Sequence, residues 1–120
     1  MSERLRFIEH SGKRVFVIDL SQCSRDEMLA LLSDIQDTVG EQPRGSVLIL
    51  ADFHGAQIDK TVATRMKEVL VFDRPYVKRA AWVGTEDLPK VFYENFKTFS
   101  QRDFPTFKTR EEALEALTRE

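Results

Sequence analysis

The run Ser46-Val47-Leu48-Ile49-Leu50-Ala51-Asp52-Phe53 decides the fold. It reads as a central strand, and a short polar loop carries it into Asp59-Lys60-Thr61. Those residues open an amphipathic helix whose inner face holds Val62, Met66, Val69 and Leu70. The junction sets an acid and a hydroxyl at the positive end of a helix, beyond the carboxyl end of the strand. Such a place suits a ligand, a phosphate or a partner protein.

Upstream, Arg4 to His10 and Arg14 to Leu20 are two β-prone runs joined by Ser11-Gly12-Lys13, the pattern of a hairpin. Val15, Phe16, Val17 and Ile18 are apolar on both faces, so the second run is expected to be covered on both sides. Ser24-Arg25-Asp26-Glu27 is a capping box. It starts a helix with Met28, Leu31, Leu32, Ile35 and Val39 in one stripe and Gly40 placed to end it.

Downstream, Asp73-Arg74-Pro75 stops the second helix, because proline disfavours a helical residue before it. Val77 to Gly84 reads as a strand. Thr85 or Asp87 is expected to cap a third helix, with Pro89 in its first turn and Leu88, Phe92, Phe96 and Phe99 inward. Phe104-Pro105-Thr106-Phe107 is a short edge strand, and Thr109-Arg110-Glu111-Glu112 is a second capping box. A last helix follows from Glu111 to about Thr118, with Leu114 and Leu117 inward. The expected order is β-β-α-β-α-β-α-β-α: one α/β domain over residues 1–120, with a mostly parallel sheet and an antiparallel N-terminal strand.

Composition excludes several classes. With 18 basic and 20 acidic residues the net charge is −2, which is not the basic excess of a general nucleic-acid binder. No apolar run approaches the ~18 residues of a membrane span, and the first residues lack a secretory signal pattern. The single Cys23 forms no internal disulfide, so a cytoplasmic protein is expected. Two histidines and one cysteine give no metal-ligand spacing, and no cofactor motif is present.

This order resembles the STAS domain, the fold of bacterial anti-sigma-factor antagonists and of sulfate-transporter tails. The nearer likeness is to the small stand-alone SpoIIAA-like branch, sometimes grouped with the CRAL-TRIO lipid-binding fold. The words that carry it are Ser46 to Asp52, Arg74-Pro75-Tyr76-Val77-Lys78 with Ala81-Trp82-Val83-Gly84, and Arg102-Asp103-Phe104 with Glu111-Glu112-Ala113-Leu114. In the antagonists, Asp-Ser-Ser-Gly starts a helix and its second serine is phosphorylated. Asp59-Lys60-Thr61-Val62 falls at that position, so Thr61 matches the phosphorylated serine and Asp59 the aspartate. Lys60 stands for the first serine and Val62 for the glycine. The resemblance implies a non-enzymatic regulatory module whose partner is a kinase or an anti-sigma-like factor.

Each candidate has a plainer reading beside it. Phosphothreonine at Thr61 would gain about 0.3–1 kcal/mol from the helix end, with Lys60, Thr64 and Arg65 nearby; equally, Asp59 is a simple N-cap. His54 beside Asp52 is a base, or a loop histidine with an acid nearby. Cys23 before the Ser24 cap is a nucleophile, or a structural cysteine. The aromatic C-terminal third, with Trp82, Phe92, Tyr93, Phe96, Phe99, Phe104 and Phe107, holds an apolar ligand or lipid, or is plain core. Arg74, Tyr76, Lys78 and Arg79 receive an acidic partner or a phosphate, or are solvated strand flanks. A partner or ligand site is therefore expected at Asp52, His54, Asp59, Lys60, Thr61, Arg65, Tyr76 and Lys78. An apolar-ligand carrier ranks behind the interaction module, and an enzyme using Asp52, His54 or Cys23 ranks last. The open edge of the hairpin allows a homodimer unless Arg4 and Arg6 protect it.

Overall fold

The computed structural model describes residues 3–100 and 104–119, the side chains of Asp87 and Phe99 apart. Strands β1 (Leu5–His10) and β2 (Lys13–Asp19) form the expected hairpin. Its two-residue turn puts both Ser11 (φ 52°) and Gly12 (φ 78°) in the left-handed region, which matches the twist of the flanking strands. Helix α1 (Arg25–Gly40), strand β3 (Val47–Asp52), helix α2 (Lys60–Asp73) and strand β4 (Val77–Val83) follow. Helix α3 (Lys90–Ser100), strand β5 (Thr106–Phe107) and helix α4 (Arg110–Thr118) complete the order.

The strands lie side by side in chain order, β1-β2-β3-β4-β5, with only the β1–β2 pair antiparallel. Three successive right-handed crossovers stepping in one direction must place their helices on one face. So α1, α2 and α3 share one side, where Phe16, Ile18, Ile49, Trp82 and Phe96 belong to one core. The other side has α4 alone, packing Ala113 and Leu117 on Val15, Val17, Leu48, Leu50, Ala81 and Val83. The double-sided apolar pattern of β2 is thereby accounted for. Strand order never reverses, so the crevice that a doubly wound sheet opens at its switch point is absent from this sheet.

Three local expectations change. Gly40 is the last residue of α1 and not its terminator; Glu41 caps the helix. A β-carbon at Gly40 would lie 3.2 Å from the Phe72 ring, so this glycine serves the close approach of α1 to α2. Thr85 and Asp87 do not cap α3: Thr85–Asp87 form a 3-10 turn of their own, and α3 begins after Pro89. Proline lacks an amide hydrogen and suits that entry position. At α4, the Thr109 hydroxyl accepts the Glu112 amide as expected, but the Glu112 carboxylate returns to the Thr109 hydroxyl, 3.2 Å away. Arg102 and Asp103, part of the family-like wording, lie outside the described residues, as does the Phe99 side chain expected on the inner face of α3.

Candidate functional site

The loops at the carboxyl end of the parallel strands gather the polar groups. Asp19 ends β2 and Asp52 ends β3, and the two are direct register partners. Both alternate in phase with residues under α4, so two carboxylates stand side by side on that face, about 4.8 Å apart by strand spacing. Left alone they would repel. Arg110, the first residue of α4, resolves this: its Nε donates to Asp52 Oδ2 at 2.8 Å and its Nη2 lies 3.2 Å from Asp19 Oδ1. Burial works against the Arg110 charge, but the bonds to Asp52 and Asp19 outweigh it and hold the guanidinium above its ordinary value. Burial also pushes Asp19 up. The Ser21 hydroxyl and amide, with Arg110 and Arg4, more than offset that and leave its carboxyl below the usual range.

Asp52 is only 5% exposed, yet its bonding capacity is used. Besides Arg110, its Oδ1 accepts the His54 amide at 3.0 Å and the His54 ring at 2.7 Å. Facing a carboxylate already bonded to a guanidinium, Nδ1 carries the proton, which leaves Nε2 outward. Nε2 lies 3.5 Å from Glu86 Oε1, and the His54 side chain is 41% exposed. The His54 loop is pinned from both sides. Its carbonyl accepts the Gln22 amide, and the Gln57 amide donates to the Cys23 carbonyl. Gly84, with φ 75°, lets the loop close down, since a β-carbon there would meet the His54 amide at 2.6 Å.

A second cluster marks the start of α2. The Asp59 side chain accepts the Val62 amide at 2.9 Å and receives Arg25 Nε, from the first turn of α1, at 2.6 Å. The bond from Val62, and the Arg25 charge, hold the Asp59 carboxyl below its ordinary value. The helix pole is therefore already answered by a carboxylate of the chain itself. Lys60 and Thr61 are exposed on the first turn, while Arg65 is half-buried and pairs with Glu68 at 3.5 Å.

The residues singled out in the sequence thus separate. Asp52 and His54 touch; Asp59, Lys60, Thr61 and Arg65 share the first turns of α2. Tyr76 and Lys78 are at the other end of the sheet, because β4 parallels β3: Val77 pairs with Val47, and Val83 with Asp52. Tyr76 stacks there on Phe72, with ring centroids 5.7 Å apart. Cys23 is fully buried, and burial pushes its thiol up, the reverse of an activated nucleophile. The aromatic third packs around Trp82, whose ring stacks on Phe104 at 4.2 Å and meets Phe53 at 4.8 Å. The apolar cavity beside Trp82, between the sheet and α2, measures about 40 Å³, room for a few atoms and not for an acyl chain.

Arg110, Asp19, Glu86 and Arg25 are the members that sequence reasoning missed. One signal was present. A basic residue in the first turn of α4 opposes the helix dipole, and such a placement calls for an acidic neighbour from elsewhere. Among the described residues, no helix is long and apolar enough to cross a membrane.

No protein-family profile and no curated protein sequence matches the chain. Its structure is similar to that of an anti-sigma-factor antagonist (STAS) domain protein from Planctomyces limnophilus, with a TM-score of 0.62 and 15% identity. The match covers 94% of this chain and 97% of that one. The chain therefore has the STAS fold, as its element order implied.

Proposed function

We propose that this chain is a regulatory protein-interaction module of STAS type that binds its partner through the loop and helix from His54 to Arg65. The observation that carries the reading is the pairing of a STAS fold with an exposed Lys60-Thr61 turn beyond the central strand. The loop behind it is braced by Asp52, Gln22 and Gly84, so the binding surface is pre-organised and loses little entropy on association. The partner is a regulatory kinase or an anti-sigma-like factor. Phosphorylation of Thr61 is the switch: it adds up to two negative charges close to the Asp59 carboxylate and changes the sign of the surface offered to the partner. The plain reading of Asp52 and His54 is a brace for this loop and not a catalytic pair.

The test compares wild type, Thr61→Ala and Thr61→Glu as baits for partner capture from extract, with phosphothreonine mapping by mass spectrometry. One partner retained by wild type and Thr61→Ala but lost from Thr61→Glu is the expected result. Identical partner sets, with no phosphate on Thr61, would remove the switch.

A further inference from the structure

The groove between α2 and α3 differs in character from the rest of this acidic chain. It encloses about 280 Å³ and is lined by Lys60, Ala63, Thr64 and Lys67 from α2 and Phe92 and Asn95 from α3. None of these lining residues is acidic, so a chain of net charge −2 has concentrated two ammonium groups over an apolar floor. Lys60, Thr64, Lys67 and Val71 recur at helical spacing, which makes them one stripe along α2. Val71 is 46% exposed and Val91, beside Phe92, is 61% exposed. Of the three exposed large apolar side chains among the described residues, these two flank the groove and the third, Phe72, is also on α2. Apolar side chains left in water beside a charged concavity mark an interaction surface.

We infer that this groove receives an acidic, amphipathic segment of a partner protein. The charge fixes the sign of the occupant. Lys60 and Lys67 are two turns apart, about 10 Å along the helix, which matches carboxylates at positions i and i+7 of a helical segment. Between them, Ala63 and Phe92 leave room for one or two aliphatic side chains of that segment. A concave seat favours side chains that insert over a flat lipid surface. The inference rests on the interaction-module reading and adds the chemistry of the partner.

The experiment is an amide proton–nitrogen NMR titration of the full chain. The probe is a capped helical peptide with glutamates at i and i+7 and leucines between them; a lysine-for-glutamate peptide is the control. Saturable shifts clustered at residues 60–67 and 91–95, fading as salt rises, are expected. Lys60→Glu/Lys67→Glu should weaken binding about tenfold with the rest of the spectrum unchanged. Equal shifts with the lysine peptide, shifts confined to the His54–Asp59 loop, or engagement only of phosphatidylglycerol vesicles would each overturn the inference. Failure here, with a partner still captured in a Thr61-dependent way, leaves the interaction reading standing. Shifts in the groove, with Thr61 variants indistinguishable in capture, remove the switch and keep the groove.

Discussion

Arg110 and Asp52 are 58 positions apart in the chain and 2.8 Å apart in space. One opens the last helix and the other closes the central strand, so a single charged hydrogen bond fastens α4 to the sheet it alone covers. Asp52 is nearly inaccessible, whereas Arg110 keeps about a third of its side chain in water.

Removing the guanidinium leaves a buried carboxylate beside a second one. Arg110→Ala is expected to destabilise the fold by about 2 kcal/mol, below the range for fully buried pairs because Arg110 is partly solvated. Arg110→Lys should recover only part of this, since an ammonium cannot span both Asp52 and Asp19 with a planar fork. Urea denaturation of the three proteins checks the order.

The lowered Asp19 carboxyl makes a pH prediction with a definite sign. An unfolded aspartate titrates near about 3.9. Asp19 therefore contributes stability that is fully present above that value and is lost as pH falls through its lower folded value. Asp19→Asn should flatten the acid side of the stability profile and leave its slope between neutral and weakly acidic pH unchanged. Thermal melts across the acid range decide it.

Gly84 holds a conformation that a side chain resists, and a β-carbon would strike the His54 amide. Gly84→Ala should cost about 1–3 kcal/mol and displace the His54 loop. Gly12, equally left-handed but with nothing near its missing β-carbon, should cost less, about 1 kcal/mol, on the same change. NMR of the His54 ring separates the two: only Gly84→Ala should move it.

Trp82 is the chain's single tryptophan and lies stacked on Phe104. Phe104→Ala should cost about 3–5 kcal/mol and shift the Trp82 emission to longer wavelength as the site loosens. Phe104→Leu should cost less and shift it less. Fluorescence-monitored unfolding reports both quantities at once.

Much of this was legible in the chain. The alternation of apolar runs and capping residues gave β2 its double-sided pattern, and Ser24, Asp59 and Thr109 each cap the helix that follows them. The misread glycine and the misread start of α3 share a cause. Gly40 answers to the Phe72 ring on another helix, and Thr85 enters a tight turn set by Gly84. Local signals cannot register a constraint imposed from a distance.

By itself, then, the sequence determined element order, the faces that turn inward and the location of Asp52, His54 and Thr61 beyond the central strand. Those are properties of periods and caps, which span only a few residues. Only the tertiary structure decided that Asp19 and Asp52 share one guanidinium, that Tyr76 and Lys78 stand at the far end of the sheet, and that two lysines of α2 face Phe92 of α3. Those relations depend on register, crossover hand and helix packing, which bring together residues that no local pattern links.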